Sequence, residues 1–371
     1  MKKLIALLLA MTMLFALAAC GSQAAPAAET QPAADAEPAA EAPAEAETPA
    51  EKIPLKISHH PYLHGLPSTY AEENGLYDGF DYTIDYYSGG PVQNEAIASG
   101  AWEVGTTGVA GAVLGVTGYN MKVLGVAYDE ASVTDAWCRA DSPLASAERD
   151  EAGVLGTAAD WKGLTVLIAT GTNTHMTLIA ILEHLGLTED DVNIVDCSSV
   201  PNVYTAFVAG EGDVAFVWAP YGYSLEEDAQ YVKVANLQNL GISLPALVVC
   251  TEDAYNNRPE VVQQWLAVYY QACDGLMADI DAAAEMMYNF SEEQGIIMSE
   301  DASYQEFVQR PLWSVAQNKE VFADNGSGSS EIYDIMMSYA DFMVSQGKIT
   351  QEQRDAMASS DFISDMILNI D

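Results

Sequence analysis

From Pro54 to Trp218 the chain alternates short β-type runs with helical stretches, and this alternation limits the fold more than any other feature. Leu55-Lys56-Ile57-Ser58 alternates like a strand and is followed by a loop, His59 to Ser68. Tyr70 to Leu76 reads as a short helix stopped at Gly75, and Asp81 to Tyr87 as a second strand. Ser88-Gly89-Gly90-Pro91 turns into a helix over Val92 to Ala98. Trp102 to Gly105 is a third strand, Thr107-Gly108 opens another helix, and Lys122 to Tyr128 is a fourth strand. The same order then recurs. Leu164 to Ala169 is a strand, Thr170 to His175 a turn, and Met176 to Leu185 a helix ended at Gly186. Asn193 to Asp196, Val200 to Ala209 and Val214 to Trp218 continue as strand, helix and strand. Long helical patterns return after about Val248, as in Pro259 to Met277 and Ile332 to Ser345. The expectation is an α/β fold with two mostly parallel sheets flanked by helices, one domain being interrupted by the other.

The front of the chain sets the compartment. Lys2 and Lys3 precede an apolar run, Leu4 to Ala16, of about 13 residues, whereas a membrane span needs roughly 20. Ala18-Ala19-Cys20 resembles the lipobox of bacterial lipoproteins, which implies cleavage before Cys20 and acylation of its sulfur. Residues 1–19 are then a lipoprotein signal, and residues 20–51 the lipidated Cys20 with an Ala/Pro/Glu tether. Such a composition cannot build a core. Extended, the tether reaches somewhat under ~100 Å at roughly 3.1 Å per residue. An extracytoplasmic protein, lipid-anchored at the cell membrane, is expected.

Charge narrows the partners. With 54 acidic and 14 basic residues the formal net charge is −40, which repels phosphate backbones, so nucleic acid is excluded as a partner. Contact with the membrane is expected through the lipid only. Salt screens charge beyond about 8 Å, so a small anion held in a cleft remains compatible with this surface. Cys138, Cys197, Cys250 and Cys273 show neither metal-knuckle nor Cys-x-x-Cys spacing and are expected as free thiols. His59, His60 and His64 cluster beside Tyr62, but the spacing matches no standard zinc pattern, so no metal and no cofactor are expected.

Three loops rich in Gly and small hydroxyls stand where strands lead into helices: Ser88 to Pro91, Thr106 to Gly111 and Thr170 to His175. Open α/β sheets bind ligands at such carboxyl ends, and free backbone N–H groups there attract anionic or polar groups. The same residues also serve simply as helix caps. The candidate ligand-binding residues are His60, Tyr62, Gly90, Thr107, Gly108, Thr172, Asn173, Thr174, His175, Trp218 and Tyr221. Trp218 and Tyr221 suit stacking on a flat or cationic ligand, or packing between lobes.

Several segments together resemble the substrate-binding proteins of ABC importers in the nitrate/sulfonate/taurine group. They are Ala71-Glu72-Glu73-Asn74-Gly75-Leu76-Tyr77, Gly89 to Gly100, Asp160-Trp161-Lys162-Gly163, Ala209-Gly210-Glu211-Gly212-Asp213, and Trp218-Ala219-Pro220-Tyr221. Trp102-Glu103 departs from the acidic-led pair usual after the second. The resemblance covers most of residues 54 to 290. It implies a two-lobed, type II periplasmic-binding-protein-like fold with a hinge, lobe I being residues 52–140 with 247–371 and lobe II residues 141–246. It also implies a small-molecule ligand, a permease and ATPase as partners, closure of the lobes on the ligand, and a monomer. Sulfonates in this group are often held by an Arg with helix N-termini, and no Arg falls in the three loops. A neutral heterocycle such as a pyrimidine vitamin precursor fits at least as well. A surface sensor of the same fold is the alternative. The related pyrimidine-precursor synthases carry a dense cysteine motif that is missing here, so no enzyme activity is expected. Replacing Trp218 or Asn173 by Ala is expected to weaken binding and leave the melting temperature of the empty protein nearly unchanged.

Overall fold

The computed structural model describes residues 51–370. The signal 1–19, Cys20 and the tether up to residue 50 lie outside the described residues, so the lipidation site is not among them.

Two five-stranded sheets carry the fold. The strands are β1 (Ile53–His59), β2 (Phe80–Tyr86), β3 (Val104–Gly108), β4 (Lys122–Asp129), β5 (Thr134–Arg139), β6 (Thr165–Ile168), β7 (Asn193–Asp196), β8 (Val214–Trp218), β9 (Tyr231–Asn236) and β10 (Pro245–Cys250). The first sheet runs β2-β1-β3-β10-β4 and the second β7-β6-β8-β5-β9. In each, one strand opposes the rest: β10 is antiparallel to β3 and β4, and β5 to β8 and β9. Each of these two is the first strand after the chain passes from one sheet to the other. The sheets are therefore mostly parallel, with one reversed strand apiece.

The passages lie at residues 130–133 and 237–244. This moves the first boundary back from residue 140, because β5 pairs only within the second sheet. β5 hides from pattern reading because Thr134-Asp135-Ala136-Trp137-Cys138-Arg139 is buried nearly throughout and carries an acid inside it.

Local chemistry explains the elements. β3, β4 and β10 are buried almost end to end, as expected of strands covered on both faces, whereas edge strand β2 alternates. α1 (Leu66–Glu73) starts on Pro67, whose ring presets a helical φ, and Gly75 follows it at φ 68°. α2 (Gly90–Ile97) and α3 (Val109–Tyr119) start against each other. A Cβ on Gly90 would sit 2.6 Å from the Gly111 Cα, so the approach requires glycine. The expected loop Thr106 to Gly111 is instead the end of β3 running directly into α3.

In the second unit α4 (Ala158–Trp161) is closed by a Thr157/Asp160 capping box, and α5 (Asn173–His184) follows β6. α6 (Val200–Val208) lies between β7 and β8, and α7 (Tyr221–Glu226) follows β8. Helices α8 to α14 occupy Glu252 to Ala358, including α9 (Pro259–Ala278), α11 (Glu300–Gln309) and α13 (Glu331–Ser345). They pack on the first sheet in one continuous core. Among the described residues no helix is long and apolar enough to cross a membrane.

Candidate functional site

Three helix starts meet where the sheets face each other. α2, α3 and α5 begin at the carboxyl ends of their strands, and none has a hydrogen bond from its own capping side chain. Between them lies a narrow cavity, drawn tight by residues of both units. Gly90, Gly108 and Gly111 line it from the first unit, and Gly171, Thr172, Asn173 and Trp218 from the second.

Asn173 ties the two units together. Its Oδ1 accepts from the Ala110 N–H at 3.1 Å, supplying across the cleft the cap that α3 lacks. Its Nδ2 donates to Glu130 Oε2 at 2.9 Å. Gly108 makes room for this contact, since a Cβ there would lie 2.6 Å from Asn173 Nδ2. Glu130 sits in the first passage between the sheets and also lines the cavity. Its Oε1 accepts from Arg310 Nη1 at 3.3 Å. Arg310, on the far side, is paired with Glu306 of α11 and lies 5.1 Å from the Tyr128 ring centre. Burial raises the Glu130 carboxyl to about 7, with Arg310 and then Asn173 opposing the rise.

Burial holds the three histidines after β1, His59, His60 and His64, neutral at ordinary pH. His59 is a core group, held through Nδ1 to Thr106 Oγ1 at 2.6 Å and Nε2 to Ser68 Oγ at 2.7 Å, and burial lowers it to about 3. His60 and His64 both line the cavity, with ring centres 4.8 Å apart. Burial lowers His60 to about 4 and His64 well below its usual value. The Tyr128 hydroxyl lies 2.6 Å from His64 Nδ1. With the buried hydroxyl donating there, the remaining N–H of His64 is on Nε2. Both Nε2 atoms are buried without a hydrogen-bond partner, and that of His64 stands 3.9 Å from Glu130 Oε1.

Rings close the remaining side. Tyr62 meets Trp218 edge-on at 6.0 Å and Tyr221 at 6.4 Å, joining the first unit to the end of β8. Trp218 Nε1 is buried without a partner.

The electrostatics pull in two directions. A helix start favours an anion by ~0.3–1 kcal/mol. A unit charge about 6 Å away acts with about 3 kcal/mol at an effective dielectric of 20. Glu130 is the formal charge in the wall, and none of the described residues lining the cavity is Lys or Arg.

Of the expected residues, His60, Tyr62, Gly90, Gly108, Thr172, Asn173 and Trp218 line the cavity. Thr107, Thr174, His175 and Tyr221 do not. Thr107 is buried behind Gly90 and Gly111, and Thr174 Oγ1 is paired with Thr172 Oγ1 at 2.8 Å. His175 is committed within the second unit, with Nε2 2.7 Å from Glu189 Oε1 and Nδ1 accepting from Gly171 N–H at 3.3 Å. Tyr221 stands behind Tyr62. Sequence reasoning missed His64, Glu130, Ala110, Gly111, Gly171, Pro91 and Ala219. Pro91, Ala110, Gly111 and Gly171 fall inside loops already singled out. Glu130 carried no signal, since an acid between strands ordinarily faces water. Cys138, Cys250 and Cys273 are buried elsewhere, Cys197 is half-buried, and none lines the cavity. Among the described residues no group of three His, Cys, Asp or Glu is placed to hold a metal ion.

Comparison with known proteins follows the same outline. The family model described as "NMT1/THI5 like" matches residues 66–283. A Brachyspira hyodysenteriae protein bearing the name of an ABC transporter periplasmic binding protein is 29% identical over 306 residues, covering 81% of this chain and 84% of its own length. The alkanesulfonate-binding protein SsuA of Xanthomonas axonopodis pv. citri, solved with MOPS bound, superposes with a TM-score of 0.67 at 19% identity, over 85% of this chain and 99% of SsuA. The aliphatic sulphonate binding protein SsuA of Escherichia coli gives 0.66 at 17%, over 82% and 92%. These structures share the periplasmic-binding-protein fold with this chain.

Proposed function

Because the chain belongs to the NMT1/THI5-like family, we propose that it is the extracytoplasmic receptor of an ABC importer, delivering a small molecule to the permease and its ATPase. The observation that carries this reading is the cavity between the two sheets, lined by helix starts from both and spanned by Asn173. A ligand that touches both walls favours the closed arrangement by whatever contacts it makes to both at once. The lobes are the two sheets with their helices, the chain passing between them at residues 130–133 and 237–244. The protein works as a receptor rather than an enzyme. The binding-protein names carried by the Brachyspira relative and by both SsuA neighbours support this reading. Anchoring through acylated Cys20 keeps this receptor beside the permease, and the tether sets its reach.

A thermal-shift screen of sulfonates, nitrate, pyrimidines, amines and amino acids tests the reading. At least one class should raise the melting temperature, and Trp218→Ala should abolish that rise while moving the empty protein by no more than about 2 °C. A shift that survives Trp218→Ala places the ligand elsewhere. In the same preparation Cys20→Ala should release the protein from the membrane fraction without changing probe affinity.

A further inference from the structure

The cavity holds one feature that helix starts do not explain, a buried acid in its wall. Asn173 already fills the start of α3, leaving α2 and α5 as the open helix ends. Glu130 is 5% exposed, and its cationic partner Arg310 is shared with Glu306, itself fully buried. With Glu130 ionised, the one cation faces two carboxylates. His60 and His64 add no positive charge, and His64 leaves its Nε2 unpaired 3.9 Å from the Glu130 Oε1.

We propose, building on the receptor reading, that Glu130 sets the charge of the ligand. It admits a small neutral or cationic molecule that presents an N–H donor, such as an amidine or an aminoheterocycle, and turns away simple anions. The donor engages the free lone pairs of the Glu130 carboxylate, and acceptor atoms on the same molecule meet the His64 N–H and the open helix ends. Tyr62 and Trp218 supply apolar and ring surface for a flat skeleton.

Protonation of Glu130 would remove the filter, so pH tests it without mutation. The groups facing Glu130 are His64 and Tyr62 from the loop after β1, and Tyr128 and Asp129 from β4. Asn173 faces it from α5, Glu306 and Arg310 from α11 and its end, and Tyr339 from α13. His64 is held neutral down to acidic pH, and the phenols are raised, which leaves Glu130 to change charge near neutrality.

Calorimetric titration of the full chain with 2-aminopyrimidine, acetamidine, nitrate and ethanesulfonate at pH 6, 7 and 8 decides the matter. At pH 8 one of the two N–H-bearing probes should bind and the two anions should not. Anion affinity should rise about fivefold from pH 8 to pH 7 and less than about twofold more to pH 6, since only the protonated carboxyl tolerates them. Glu130→Gln should bind the anions at pH 8. Because Glu130→Gln also loosens Arg310, the pH series on the unmodified chain stands as the independent arm. Anion binding at pH 8 that neither pH nor Glu130→Gln alters overturns the proposal, as does failure of both N–H-bearing probes. If such anion binding is lost in Trp218→Ala, the cavity remains the site and only the charge filter is wrong. If no binding probe responds to Trp218→Ala, the receptor reading of this cavity fails instead.

Discussion

The two sheets share a strand plan and differ in what stands behind them. The first is buried with the C-terminal helices in one continuous cluster that also takes in Met176, Ala219 and Tyr223 from the second unit. The second has two smaller clusters on opposite faces, one around Trp161, Phe216 and Leu182, the other around Trp137, Phe207 and Val217. A large core resists local opening better than a small one, because more apolar area must be exposed at once. The first unit therefore reads as the platform, and the second as the part that moves on it.

The largest effect expected from this contrast comes from matched core tryptophans. Trp161 and Trp265 are each fully buried, with their indole N–H groups donating to Leu155 O at 2.9 Å and Tyr77 Oη at 3.2 Å. Either change to Ala should cost about 3–5 kcal/mol. Trp161→Ala should split off a separate low-temperature transition in calorimetry, whereas Trp265→Ala should move the main transition. A single shifted peak in both variants would show that the units unfold as one, and the distinction between platform and mover would fall.

A smaller effect is expected where the two units are joined. Asn173→Ala strips one amide bond from buried Glu130 and uncovers the Ala110 N–H. A buried polar group left unsatisfied costs about 1–3 kcal/mol. The empty protein should melt several degrees lower, and its radius of gyration by X-ray scattering should increase as the units part. This differs from the expectation that Asn173→Ala, like Trp218→Ala, leaves the melting temperature of the empty protein nearly unchanged. Asn173 is 5% exposed and hydrogen-bonded on both sides, while Trp218 is only half-buried. An unchanged scattering curve for Asn173→Ala would mean that the apolar contacts of Met176 and Tyr223 alone hold the units together.

This junction also shows where reading the sequence runs out. Gly90, Gly108, Thr172 and Asn173 were legible because the rule for open α/β sheets names the strand ends, and period and glycine placement locate those ends. β5 was illegible because its residues are buried on both faces, so no alternation marks it, and Asp135 interrupts the apolar run. Glu130 was illegible for a longer-range reason. Its burial depends on Arg310, 180 residues away, and on Asn173 from the other unit. His175 misled for the converse reason: standing in the first turn of a helix at the cleft suggests ligand contact, but Glu189 captures its ring.

The smallest expected effect compares two buried acids, one at the cavity and one within the second sheet. Burial raises Glu130 from 4.5 to about 7, and Asp135 from 3.8 to about 6 against the pull of Lys233 at 3.2 Å. A carboxyl whose folded value is raised holds its proton in the folded chain over a range where the unfolded chain has lost it. Stability therefore falls as pH rises through that range and levels off above it. The buried histidines act with the opposite sign. With folded values of about 3 for His59 and about 4 for His60, they stabilise the fold increasingly as pH rises toward 6.5. The total pH curve mixes the two, and differences from the wild type separate them. The stability of Glu130→Gln relative to wild type should climb from about pH 4.5 and level off near 7, whereas that of Asp135→Asn should climb from about pH 3.8 and level off near 6. Urea melts at half-unit pH steps read both breaks. If the two difference curves level at the same pH, the cavity acid is no more strained than one buried in an ordinary sheet. Glu130 would then be a structural partner of Arg310, with its ionisation uncoupled from the occupancy of the cleft.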